Sequence, residues 1–256
     1  MKLYVCIKQV PDVDAPIQIK NGELKQDSDR LVLNAYDASA VEEALVLTEE
    51  HEGEVEVVLV GPDKAKETIR KALAMGADKA THIQSSDNES YDSATYAHIL
   101  AAFFADKEYD IISCGKQSQD TDAGLTGGML AEHLDLPYAT NAVGLTYEDG
   151  TLVVKRQGDS GQEIIELPPS CLVTCSNDMN EPRIPSLKGI MKSKKKPVEK
   201  IALDSLELDA AKLQPKTKVT GHREKPEREA GRKFEGEPEE TAQQVARLLD
   251  EEVNVI

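Results

Sequence analysis

One stretch of this chain combines the residue types and spacing that hold a phosphate. The apolar run Asp110-Ile-Ile-Ser-Cys114 feeds Gly115-Lys116-Gln117-Ser118-Gln119-Asp120-Thr121-Asp122-Ala123-Gly124-Leu125-Thr126-Gly-Gly128, and a helix is expected over about 123–134. That helix would begin inside the loop, so its unpaired N–H groups and positive end would face whatever the loop encloses. The hydroxyls of Ser118 and Thr126 can add donors. Neither GxxxxGK[ST] nor GxGxxG is present, so this is neither a Walker loop nor a dinucleotide fingerprint. The competing reading of the same residues is a plain helix cap with a polar turn. Asp120 and Asp122 fit a ligand hydroxyl, a partner or a solvated turn.

A second segment has the chemistry of a docking surface. In Asn180-Glu181-Pro182-Arg183-Ile-Pro-Ser-Leu187-Lys-Gly-Ile190-Met191-Lys192-Ser-Lys194-Lys195-Lys196, two prolines and a glycine argue against a continuous helix. Ile184, Leu187, Ile190 and Met191 have strongly polar neighbours, and apolar residues ringed by charge mark protein interfaces. The alternative for the lysine knot is a solvated face. Nucleic acid is a poorer choice: the segment lacks aromatics, and the whole chain carries 47 acidic against 30 basic residues, a formal charge of -17.

No catalytic constellation accompanies these two segments. His51, His82, His98, His133 and His222 stand at expected helix ends, in a strand or in the tail, none beside a Ser or Cys in a nucleophile setting. Cys6, Cys114, Cys171 and Cys175 lie inside apolar segments without paired CxxC spacing, and read as buried free thiols rather than disulfides or metal ligands.

The elements that must position these residues follow from periodicity. Apolar residues make up 39% of the chain with no Trp and three Phe, so the core is built from Val, Ile, Leu and Ala, as in buried parallel strands with covering helices. Leu3 to Ile7 reads as a strand and Ile17 to Gln26 as a hairpin turning at Asn21-Gly22. A helix follows from Asn34, with Asn34 or Asp37 as its cap and Gly53 beyond its end. Strand and helix then alternate through Val55–Val60, a helix 62–75, Ala80–Ile83, a helix 92–105 and 110–114. This pattern predicts a doubly wound, mostly parallel α/β sheet, with loops after the first and second strands, the Asn34–Asp37 corner and Gly115 converging at the strands' carboxyl ends. At that convergence Asn34 can offer its amide to a base or ribose. Closely spaced strands over 143–175 predict an antiparallel extension. Residues 1–200 are expected to form the domain, and 201–256 an arm too poor in apolar residues for its own core, with one amphipathic helix at 238–249. No run approaches the roughly 20 apolar residues of a spanning helix, and the amino terminus lacks a signal h-region, so a cytoplasmic protein without membrane insertion is expected.

Cys6-Ile-Lys-Gln-Val10, Asn34 with Ala40-Val-Glu-Glu-Ala44, Ile69-Arg-Lys-Ala-Leu-Ala-Met-Gly-Ala-Asp78, Gly115-Lys-Gln117, Asn180-Glu-Pro-Arg183 and Ile190-Met-Lys-Ser-Lys-Lys-Lys196 resemble, in order, the β subunit of electron transfer flavoproteins. The resemblance implies an adenine nucleotide α-hydrolase-like fold and a heterodimer whose α subunit carries the redox FAD. Electrons would pass from acyl-CoA or related dehydrogenases towards a membrane quinone oxidoreductase, making this chain an electron carrier subunit rather than a free-standing catalyst. Carried over by motif, AMP contacts fall on Cys6, Asn34, Ala35, Tyr36, Asp37, Val60 and Gly115 to Thr126, and partner recognition on Asn180 to Arg183, Leu187, Ile190, Met191, Lys192 and Lys194 to Lys196. Leu187 takes the place of the apolar anchor, and the C-terminal arm would pack on the α subunit. The Gly115 loop is closer to the AMP-binding pattern, departing from it at Gly124-Leu125, where a polar pair is expected. One alternative is the electron-bifurcating branch, with a second FAD in this subunit and NADH as donor. Another is a stand-alone nucleotide-sensing module of the stress-protein type, which leaves 180–196 and the arm without a use.

Overall fold

Strand β1 (Lys2–Ile7) lies inside a sheet because five consecutive residues from Leu3 are buried, with alternate side chains serving opposite faces. Leu3, Val5 and Ile7 enter one core cluster, Tyr4 and Cys6 the other. The structure is a computed structural model describing residues 1–16, 18–25, 30–86, 91–224, 226 and 230–253.

After β1 come a short ribbon of β2 (Gln9–Pro11) with β5 (Leu31–Leu33), and a hairpin of β3 (Gln18–Lys20) and β4 (Glu23–Lys25). The hairpin turns at Asn21-Gly22, both at positive φ as a two-residue turn requires; its expected ends at Ile17 and Gln26 lie outside the described residues. Helix α1 (Ala35–His51) leads to β6 (Glu54–Gly61), α2 (Lys66–Met75) to β7 (Lys79–Gln84), and α3 (Ser93–Phe104) to β8 (Ile111–Gly115). Then follow α4 (Thr126–His133), β9 (Tyr138–Glu148), β10 (Thr151–Gly158), β11 (Gly161–Leu167), β12 (Cys171–Cys175), α5 (Leu187–Ser193) and β13 (Val198–Ala202).

The nine-stranded sheet has the order β11-β10-β9-β12-β8-β1-β6-β7-β13. From β9 to β13 every pairing is parallel, and only β10 and β11 are antiparallel. The expected antiparallel extension is therefore a β9–β10–β11 meander. Cys171–Cys175 belongs instead to the parallel centre, where all five residues are buried. Residues of α1 and α2 fill one face's core, those of α3 and α4 the other's. The chain first builds β1, β6 and β7 to one side, then crosses to place β8 on the far side of β1, so the order reverses between β1 and β8. That reversal is where an open α/β sheet leaves a crevice.

The sequence reading places a border at 200/201, whereas the first compact unit runs from Met1 to Gly221. Strand β13 extends the sheet beside β7, and Leu203, Leu206, Leu208 and Leu213 pack on the α3 side of the core. Asp92 ties the next turn down. Its Oδ1 caps α3 by accepting from Thr95 N at 2.9 Å, and its Oδ2 accepts from the amides of Lys216 (2.6 Å) and Thr217 (2.9 Å). These donors outweigh the burial that would raise the carboxyl and bring it down to about 2. The leucines are spaced irregularly and escape a periodicity search. The second unit, 222–256, holds helix α6 (Pro238–Leu248), which has no buried residue. No helix among the described residues is long and apolar enough to cross a membrane.

Candidate functional site

At the carboxyl ends of β1 and β8 lies a cleft that opens to solvent. Its floor is apolar: Cys6, Val58, Val60 and Cys114 come from the strands, Leu100 from α3 and Leu130 from α4. The rim is polar, formed by Lys8, Asn34, Asp37 and much of the Gly115–Gly127 loop.

Asp37 fastens the two strands that make the cleft. Its Oδ2 accepts from Lys8 N at 2.7 Å and its Oδ1 from Gly115 N at 2.9 Å, joining residues just beyond β1 and at the end of β8. Burial raises this carboxyl to about 7, with the N–H donors of Lys8, Asn34 and Gly115 pulling the other way. A Cβ on Gly115 would collide with the same carboxyl, which accounts for glycine there. Asp37 is therefore not a helix cap, one of the two roles its position suggested.

Asn34 stands at the N-cap position of α1 without capping it. Its Nδ2 donates to Gln117 O at 2.9 Å and its Oδ1 accepts from Gln119 N at 3.1 Å. Gln119 returns the contact, its Oε1 accepting from Ala35 N at 3.0 Å. The Asn34 side chain, which also lines the cleft, shapes the loop, and Gln119 supplies the cap. Tyr36 has Lys116 Nζ 5.7 Å from its ring centroid.

Inside the loop, Ser118 N donates to Ala123 O at 2.9 Å and Asp122 N to Ser118 O at 2.8 Å, with Asp122 at φ 56° and accepting from Gln117 Nε2. Asp120 accepts from Ser118 and Lys8, and the Thr121 hydroxyl lies 3.4 Å away. Burial alone would raise the Asp120 carboxyl, but the Lys8 charge and these hydrogen bonds bring it below its usual range. Helix α4 begins at Thr126, three residues later than expected, behind an exposed Leu125 and with no side-chain cap. Its leading N–H groups are therefore available where Ala123, Gly124, Thr126 and Gly127 line the cleft. Gly127 lets the helix start close to the sheet, since a Cβ there would lie 2.5 Å from Thr174 Cγ2 and 2.9 Å from Cys114 Sγ.

Two polar lining residues were not singled out by sequence reasoning. Lys8 Nζ sits 2.9 Å from Ser118 Oγ and from Asp120 Oδ2, bridging the β1 end to the loop 110 residues away. Tyr96 lies beneath it, ring centroid 5.7 Å from that ammonium, its hydroxyl pushed up to about 12 first by burial and then by Asp120. Lys8 stands in the Cys6–Val10 block and was within reach of the sequence; nothing in α3's pattern marks Tyr96.

The docking segment is distant in sequence and differently built. Ser186 caps α5 by accepting from Gly189 N at 3.1 Å, so a short helix forms where prolines and glycine argued against a continuous one. Ile184 is 91% and Leu187 82% exposed, and Ile190 and Met191 are also exposed. Lys192, Lys194 and Lys195 face solvent, as does Glu181, while Pro182 is half-buried. Asn180, Arg183 and Lys196 are half-buried and hydrogen-bond within the chain. Asn180 Nδ2 donates to Ser39 O and Glu43 Oε2; Arg183 grips Glu42 and Glu49 of α1. Lys196 Nζ donates to Leu73 O (3.1 Å), Gly76 O (2.8 Å) and Ala77 O (2.6 Å) at the end of α2, and its burial lowers the ammonium's pKa.

A family model described as an electron transfer flavoprotein domain matches residues 23–206. Electron transfer flavoprotein subunit beta of Bacillus subtilis is 37% identical over 257 residues, covering 100% of both chains. The protein of the same name from Mus musculus is 35% identical over 240 residues, 92% of this chain and 93% of its own. Caffeyl-CoA reductase-Etf complex subunit CarD of Acetobacterium woodii is 37% identical over 201 residues, 77% of each chain. With the family model spanning most of the chain and relatives at 35–37% identity covering 77–100% of it, this chain belongs to the electron transfer flavoprotein β-subunit family.

Proposed function

We propose that this chain binds AMP as a structural group in the β1/β8 cleft and serves, in the cytoplasm, as the β subunit of a heterodimer that carries electrons from acyl-CoA-type dehydrogenases towards a membrane quinone oxidoreductase. Family membership implies an α subunit and a flavin in the heterodimer. The α subunit holds the FAD, and residues 222–256 with α6 order against that subunit.

The uncapped first turn of α4 opening into an apolar-floored cleft at the strand-order reversal carries the nucleotide reading. The donor set fits AMP: amides at 126–128 and the Thr126 hydroxyl suit a phosphate, and the apolar floor suits a base. AMP supplies no redox chemistry, so the protein's part is to hold the fold and to offer partner surfaces, while the flavin exchanges electrons. That division accords with a cleft in which Asp37 and Asn34 are committed to structure. Docking is assigned to α5 and Ile184, with Leu187 entering an apolar pocket on the dehydrogenase and Lys192, Lys194 and Lys195 facing its acidic rim.

The second reading is a bifurcating protein with another FAD in this subunit and NADH as donor. The observation on its side is the Acetobacterium relative, whose name places it in a reductase complex. The heterodimer, purified and then denatured, separates the two by its released nucleotides. One flavin and one AMP per heterodimer support the proposal; two flavins and no AMP overturn it.

A further inference from the structure

The residues that look alike in the Asn180–Lys196 segment have opposite destinations. Its apolar side chains are exposed, yet the backbone that bears them is fastened at both ends. At the amino-terminal end Arg183 makes a forked contact with Glu42, Nε to Oε2 at 2.8 Å and Nη2 to Oε1 at 3.0 Å, and a second with Glu49, Nη1 to Oε1 at 2.6 Å. Its own N–H adds 2.9 Å to Glu42 Oε2. At the other end the Lys196 ammonium spends all three of its donors on the carbonyls that close α2. Between these points α5 lies against α2 at Gly189, where a Cβ would stand 2.5 Å from Ala74 O. Arg70 of α2 donates to Ser193 O. Seven helical residues would not hold a helix alone.

The geometry points to Arg183 and Lys196 as positioning residues for partner docking: they clamp the segment to α1 and α2 so that Ile184, Leu187 and Met191 are presented on a rigid base. This rests on the docking reading above and divides the lysine run by mechanism. Lys194 and Lys195 act by long-range charge, which salt screens. Lys196 touches no partner and acts through the backbone, so its effect survives high salt. Loosening a clamp adds ordering cost to each association, worth roughly three- to tenfold in affinity.

The test uses the flavin-loaded heterodimer and its cognate dehydrogenase, comparing Arg183→Lys, Lys196→Met, Leu187→Ala and Lys194→Gln/Lys195→Gln. Arg183→Lys keeps the charge but loses the fork; Lys196→Met keeps the stem and frees the carbonyls. Both clamp variants are expected to raise KM for the heterodimer roughly three- to tenfold at low and high salt, with kcat and flavin content unchanged, and to lose amide hydrogen-exchange protection over 184–193. The double glutamine variant should lose affinity at low salt only and keep its protection. If Arg183→Lys does not assemble, Lys196→Met decides alone. The inference is overturned if Lys196→Met shows wild-type KM, or a defect abolished by salt, while Leu187→Ala is impaired. A Leu187→Ala heterodimer with wild-type KM overturns the docking reading itself, and the inference with it.

Discussion

The loop from Gly115 to Thr126 and the segment from Asn180 to Lys196 are both polar, glycine-containing connections, and the fold uses them in opposite ways. In the first, side chains turn upon one another: Asn34 holds Gln117 and Gln119, Lys8 holds Ser118 and Asp120, and Gln117 holds Asp122. Polar side chains are consumed so that backbone amides at the start of α4 stay available. In the second, charged side chains at the ends are consumed so that apolar side chains in the middle stay exposed. The contrast teaches that the residue most attractive as a contact in sequence is often the one that shapes the contact surface, and that the group left without a partner is the better candidate.

The largest break in this comparison comes from Gly127. A valine there must displace Thr174 or Cys114 from a packed sheet, and such overpacking costs about 1–3 kcal/mol. Gly127→Val is expected to lower the urea midpoint of the chain and to release nucleotide from the heterodimer, because the start of α4 moves with it. Gly189→Val, in the other region, should disturb α5 while leaving nucleotide content at the wild-type level.

Asp37 sharpens the comparison through pH. Its carboxyl has a folded value of about 7 against an ordinary value of 3.8. A raised acid contributes most to stability below the unfolded value, and that contribution is lost as pH rises towards the folded one. Unfolding free energy of the wild type should therefore fall between pH 4 and 7 relative to Asp37→Asn, by at most about 1.4 kcal/mol per pH unit, and the difference should level off above pH 7. Urea titrations at four pH values measure it. A constant difference across the window would mean the two N–H donors hold the carboxylate ionised throughout.

Leu187 is the next largest effect and the converse of Gly127. Removing an exposed leucine costs the free protein nothing in packing, while truncating a buried interface anchor costs about 2 kcal/mol, roughly thirtyfold in affinity. Leu187→Ala should weaken transfer from the dehydrogenase by that factor, with flavin, nucleotide and Tm unchanged. A drop in Tm would return Leu187 to the core.

How much of this was legible depended on whether the signal was local. The β1, β6, β7 and β8 runs, the covering helices and the Asn21-Gly22 turn follow from periodicity and turn chemistry, and the structure has them. The Gly115 loop was visible because strand, glycines and helix start are contiguous. Lys8 meets Ser118 across 110 residues of chain and Tyr96 across 88, and no local pattern encodes a contact made by topology. The contacts that Arg183 and Lys196 make within the chain were hidden for the same reason: their partners, Glu42, Glu49 and the carbonyls of Leu73, Gly76 and Ala77, lie 119–141 residues away. That the first compact unit continues to Gly221 was not legible, because Leu203, Leu206, Leu208 and Leu213 are too few and too irregular to signal a packed strap.

Thr126 provides the smallest expected effect and the most direct test of which groups stay available in the nucleotide loop. It is the first residue of α4, half-buried and lining the cleft, and its hydroxyl belongs to the same surface as the uncapped amides. Valine keeps the shape and the helical backbone but removes one donor. A single hydrogen bond is worth about 0.5–1.5 kcal/mol, and somewhat more when the acceptor is a charged phosphate. Thr126→Val should therefore weaken AMP binding several-fold by calorimetry on nucleotide-stripped heterodimer, leaving dehydrogenase KM untouched. Asn34→Ala should weaken it as well, yet by a different route, through a disordered loop and a lower Tm. If Thr126→Val binds AMP as tightly as wild type while Asn34→Ala does not, the phosphate is held by backbone N–H groups alone, and the contrast between the two regions becomes one of backbone against side chain.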